Sequence, residues 1–96
     1  MTAKEIIHAR REDIFKIAAR HGGSNIRLFG SVARGQEQTD SDIDFLIDVT
    51  GTPSAWFPVG LVRELEELLA RRVEVVTERA LNSDLRERVL SEAVPL

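Results

Sequence analysis

The sequence contains no cysteine in its 96 residues. That single absence removes disulfides, thiolate zinc sites and cysteine nucleophiles together, and it fits a cytoplasmic location. Long apolar runs are missing too: none approaches the ~20 residues needed to span a bilayer, so no membrane association is expected. The start, MTAKEIIHARRED, is charged from Lys4 onward and does not read as a secretory leader. Nor is there an excess of positive charge. Thirteen Lys and Arg against 16 Asp and Glu leave a formal charge of −3, so direct nucleic-acid binding is not expected. Repeats, linkers and low-complexity tracts are also lacking. What is present is 43% hydrophobic and 30% charged residues, the balance of a globular chain, and the expectation is one domain over residues 1–96.

Periodicity supplies the elements. Residues 3–21 read as a helix whose apolar face carries Ile7, Ile14, Ile17 and Ala18, widened by Ile6 and Phe15. Gly22 and Gly23 stop it. Residues 26–29 form a short apolar strand ended by Gly30, and 31–36 suit a helical turn before a polar loop at 36–41. Residues 43–49 are the clearest strand, with Ile43, Phe45, Ile47 and Val49 on one face and Asp44, Leu46 and Asp48 on the other, the face Asp42 also takes. Gly51, Pro53 and Pro58 mark a loop over 50–58, followed by a helix through about Ala70 and a strand over 72–77. A last helix covers 81–93, capped by Asn82 or Ser83, with Leu85, Val89 and Ala93 on its buried side. The fold class is α/β or α+β, helices packed against a small sheet.

Asp42 and Asp44 stand out because acids two apart on a strand point the same way, with Cα atoms ~6.6 Å apart. Side by side they repel and lose solvation unless a cation or a shared proton compensates. Magnesium suits such oxygen ligands, and two ions ~3.5–4 Å apart would stabilise both the attacking and the leaving oxygen of a phosphoryl transfer. Asp48 lies ~13 Å beyond Asp44 along the strand and reads as a solvated strand end. Glu74 sits inside another strand. If the two strands adjoin, a step of ~4.8 Å brings it to the same site as a third metal ligand or as a proton acceptor. Gly30 permits close approach to the backbone, Ser31 offers a hydroxyl and N–H groups to a phosphate, and Arg34 offers a guanidinium. Together these residues describe nucleoside-triphosphate chemistry.

Gly30-Ser31, ten intervening residues, then Asp42-Ile43-Asp44 resembles the signature of the polymerase-β-type nucleotidyltransferases. The fuller wording GSVARG…SDIDFLIDV is similar to the minimal nucleotidyltransferases, the MntA-like antitoxins. The resemblance implies a mixed sheet flanked by helices, ATP with magnesium as cofactor, and transfer of AMP with release of pyrophosphate. It also implies a separate HEPN-type toxin whose tyrosine hydroxyl receives AMP. By position, Gly30 and Ser31 hold the triphosphate, Asp42 and Asp44 hold the metals, and Glu74 stands where the family usually has a third aspartate.

Other readings compete with these. A calcium loop from Asp40 fails because Phe45 takes its glycine position and Gly51 its terminal glutamate position; a P-loop fails for want of Gly-Lys-Ser or Gly-Lys-Thr after Gly35. Glu74 alternatively pairs with Arg71 or Arg72, and Arg34 is alternatively a plain surface arginine. Ser41 reads as a turn residue, and His8 and His21 as surface residues. Trp56-Phe57-Pro58 either packs over the core edge or forms a lid or docking patch. At the level of function, the rivals are a binding module that neutralises its partner by contact and an enzyme modifying a small-molecule hydroxyl.

Overall fold

The computed structural model describes residues 2–38 and 40–96; Thr39 of the polar loop and Met1 lie outside the described residues. The chain runs α1 (Ala3–Ala9), α2 (Arg11–Arg20), β1 (Gly23–Phe29), α3 (Gly30–Ala33), β2 (Ile43–Val49), α4 (Val59–Leu69), β3 (Val73–Val76), a 3-10 turn at Glu78–Ala80, α5 (Ser83–Glu92) and β4 (Val94–Pro95). The four strands form one mixed sheet in the order β3-β2-β1-β4. β1 pairs antiparallel with both β2 and β4, and β2 pairs parallel with β3.

The strand over 43–49 matches the expected bounds because its alternation is sharp, Ile43, Phe45 and Ile47 being fully buried on one face. Those side chains meet Ile14, Ala18, Leu61, Leu65, Val73 and Val75 in the main core under α1, α2 and α4. The opposite face carries a thinner cluster in which Leu46 meets Leu81 and Val89 below α5. The acids at 44 and 74 emerge on this second face, beyond the cover that α5 provides.

Several boundaries differ from expectation. The helix over 3–21 divides at Arg10, whose N–H is shared between the carbonyls of Ile6 and Ile7. The break lets α1 lie on α3 while α2 packs on β1 and α4. β1 starts three residues early because Gly23 and Ser24 pair with Val49 and Asp48; an irregularity at Asn25, with φ of 48°, hides this from any apolar pattern. β4 draws its order from pairing with Arg27 and Leu28, not from its own sequence. In α5, Asn82 is the cap, its Oδ1 accepting from the Leu85 N–H at 2.9 Å. Leu85, expected on the buried side, does not reach the core and is 44% exposed. Leu81, in the extended residues ahead of the helix, takes that place against Leu46.

Candidate active site

The end of β1, the start of β2 and the middle of β3 bring the site together. Phe29 is the register partner of Asp44, and Asp44 is that of Glu74, so these three form one row across three strands, with Gly30 directly after Phe29 against the Asp44 carboxylate. Gly30 has φ of 77°, and a methyl group there would land on the Asp44 carboxylate, within 3.1 Å of Cγ. Both facts demand glycine: the backbone conformation and the space are closed to any larger residue. Ser31 follows in α3, a single turn whose preceding residue, Phe29, offers no capping side chain to its first N–H groups. The turn begins at Gly30, directly against the Asp44 carboxylate.

Asp44 is half-buried, and its carboxyl is pushed up to about 6. Burial is the largest cause, followed by the charge of Glu74, a hydrogen bond shared with Glu74 and the charge of Asp42; Arg34 opposes them. The Asp44 carboxyl thus stands against a second acid, a crowding of like charge that favours the proton on Asp44 or a cation beside it. Glu74 is exposed on edge strand β3, so solvent and an incoming group reach it.

Asp42 lies just ahead of β2 with its Oδ1 3.7 Å from Arg72 Nε. Among the described residues no three acidic or histidine side chains converge at metal-ligand spacing. Asp44 and Glu74 meet; Asp42 stays with Arg72. The donor set, adjacent carboxylate oxygens whose charges repel, has the chemistry of a hard-cation site. The alternative partners named for Glu74 are occupied elsewhere, Arg72 on Asp42 and Arg71 on the polar loop.

Arg71 is a residue that sequence reasoning passed over. Its guanidinium donates to the Ser41 carbonyl at 2.9 Å and the Gln38 carbonyl at 3.4 Å, and it pairs with Glu37 at 3.5 Å. It thus ties the loop leading to Asp42 against the start of β3. Ser41 closes a turn there, accepting from the Gln38 N–H at 2.7 Å, as expected. Arg34 is exposed at the end of α3 but not loose. Nε donates to Gln36 at 3.0 Å and Nη1 to Glu92 of α5 at 3.0 Å. Asp48, as expected, stands apart, paired with Arg27 at 2.7 Å.

Two expectations fail on position. The loop over 50–58 cannot be a lid for this site. Its Thr50 and Gly51 N–H groups bond the Gly22 carbonyl at the start of β1, whereas Asp44 faces the end of β1, ~20 Å away along the strand. Phe57 packs against the core, and Trp56 is 85% exposed. His21 is no surface residue either. Its Nδ1 accepts from the Ser54 hydroxyl at 2.6 Å and its Nε2–H donates to Glu64, fastening the loop to α2 and α4. That bond from His21 holds the Glu64 carboxyl below the usual range, with Arg20 adding to it. His8 is exposed, as expected. An apolar groove of about 610 Å³ between α1 and β4, lined by Ile7, Leu28 and Leu96, opens on the helix-covered face, away from the acids.

Comparison with known proteins agrees with this geometry. The family described as "Nucleotidyltransferase domain" matches residues 11–96. Protein adenylyltransferase MntA of Thermococcus cleftensis is 38% identical over 79 residues, 82% of this chain and 80% of its own. A solved structure described as a candidate minimal nucleotidyltransferase superposes with a TM-score of 0.86 at 45% identity, covering 100% of this chain and 97% of the other. A mutant of the toxin–antitoxin complex MntA–HpeT superposes with a TM-score of 0.71 at 25% identity, covering 90% of this chain and 70% of the other. No helix among the described residues is long and apolar enough to cross a membrane.

Proposed function

This chain belongs to the nucleotidyltransferase domain family and is a transferase of AMP; from that premise we propose that it is a magnesium-dependent protein adenylyltransferase, with ATP as donor, acting as the antitoxin of a HEPN-type ribonuclease toxin. The observation that carries the reading is the pairing of Asp44 with Glu74 across β2 and β3, with the Gly30-Ser31 turn packed directly against the Asp44 carboxylate. The relative named as a protein adenylyltransferase supports a protein acceptor, and the likeness to a toxin–antitoxin complex supports a toxin as that acceptor.

In this reading a tyrosine hydroxyl of the toxin attacks the α-phosphorus of ATP. A phosphorus–oxygen bond forms to the acceptor, the bond to the β-phosphate oxygen breaks, and pyrophosphate leaves. Asp42 and Asp44 would hold magnesium, with Glu74 as a third ligand or as the acceptor of the hydroxyl proton from the open edge of the sheet. Bound magnesium would neutralise charge on the phosphate oxygens. Gly30 brings the backbone to the triphosphate, and Ser31 and Arg34 donate to its oxygens. The Asp42–Arg72 pairing is exposed and costs little to break, so Asp42 would be free to take part.

The test is transfer of label from α-labelled ATP to a HEPN-type toxin from the same organism, with magnesium present. Label should appear on a toxin tyrosine, and Asp42→Asn/Asp44→Asn should lower the rate at least about a hundredfold. Absence of transfer, or equal transfer by the double variant, would remove the enzymatic reading. If that same variant protected cells from the toxin as well as wild type does, neutralisation by contact would replace it.

A further inference from the structure

We propose that Glu92, the last residue of α5, is a positioning residue that holds Arg34 ready for the triphosphate. This rests on the nucleotide-site reading above and extends it to a side chain outside the family motif. Arg34 stands four residues after Gly30, and the bond from its N–H to the Gly30 carbonyl at 3.1 Å fixes its backbone to the phosphate-binding turn. Two acceptors then grip the guanidinium, Gln36 on Nε and Glu92 on Nη1, both at 3.0 Å. Fixing two nitrogens of a planar group fixes its plane, and Nη2 is left without a protein partner among the described residues.

The surroundings favour a standing arrangement over a passing surface contact. The Glu92 side chain is only 20% exposed and has a second cation, Arg88, at 3.9 Å. On its other side Arg34 lies near enough to Asp44 for its charge to act on that carboxylate. An arginine side chain has many rotamers to lose on binding a phosphate, and Glu92 and Gln36 restrict them before ATP arrives. Glu92 thus contributes to nucleotide affinity without touching the nucleotide. It also makes the seating of α5 on the sheet a condition for that affinity.

Titration of ATP with magnesium into the full chain tests this by calorimetry. Glu92→Ala should weaken ATP binding about tenfold, with the rate at saturating ATP within about twofold of wild type. Glu92→Gln, isosteric and keeping an acceptor oxygen, should lose about threefold and guards against a folding defect in the alanine variant. In an Arg34→Ala background, Glu92→Ala should add less than about twofold, because the residue through which it acts is gone. Unchanged or tighter ATP binding by both Glu92 variants would overturn the proposal, as would an equal loss with and without Arg34. Wild type is measured first: if it takes up no ATP, the nucleotide-site reading itself fails, an outcome separate from these.

Discussion

Asp44 concentrates the competing demands of this molecule in one side chain. It occupies the position of a strand residue, faces a partly covered surface and has two other acids nearby. Its carboxyl titrates near 6 in the folded chain, against 3.8 for an unhindered aspartate. A raised value means that the folded state holds the proton more tightly than the unfolded one does. The stability this gives is fully present below about pH 4 and is lost as pH rises through about 6. The full difference corresponds to roughly 3 kcal/mol, but a half-exposed group is screened by solvent, leaving about 1 kcal/mol. Asp44→Asn should therefore stabilise the metal-free protein by about 1 kcal/mol at pH 7, and the gain should vanish below about pH 4. Urea denaturation at the two pH values, with a chelator present, checks it. A loss of stability at pH 7 would show that the carboxylate is well accommodated without a cation.

Loops and helix ends, not the strands themselves, decide how well the site is held. Arg71 reaches from the start of β3 to three points of the 37–41 segment, so it sets where Asp42 enters β2. Arg71→Ala should lower AMP transfer about tenfold while costing only about 1 kcal/mol of stability, since the contacts lie outside the core. Label-transfer rates and thermal melts on the same variant separate the two effects. At the other end of the sheet His21 binds Ser54 and Glu64, and a methyl group at Gly60 would fall 3.0 Å from its ring. His21→Ala should cost about 1–2 kcal/mol by freeing the loop and orphaning its partners. Because the loop stands far from Asp44, AMP transfer should stay within about twofold of wild type. Large loss of transfer with intact stability would refute that separation.

For the molecule as a whole, the unequal cores matter. The helix-covered face buries sixteen residues from seven elements, whereas the α5 face rests on Leu46, Leu81 and Val89. Within α5 only Val89 is buried. Sub-global opening should therefore begin at α5, leaving β2, with Phe45, Leu46 and Ile47 fully buried, protected until global unfolding. Native-state hydrogen exchange should show α5 amides exchanging at least about tenfold faster than those of β2. Equal protection would mean that α5 and the sheet open as one unit. The expected order places the mobile part of the fold next to Arg34, through Glu92.

Reading the chain without coordinates succeeds where short-range pattern carries the information. The strand over 43–49 and the helix near 59–69 follow from alternation and helical spacing, and the motif marks the turn at Gly30 that packs on Asp44, each set by neighbours within a few residues. Glu74 was recognisable as an acid out of place in an apolar strand. Its standing next to Asp44 depended on β3 pairing in parallel with β2, which no local signal encodes. The same limit covers the break at Arg10, the two-residue strand at Val94–Pro95, the reach of Arg71 and the grip of Glu92 on Arg34, partners 58 residues apart. Local sequence determined which residues have the chemistry and which side of an element they occupy. Tertiary structure alone decided which of them meet, because contact between distant segments is set by packing and strand register over the whole chain.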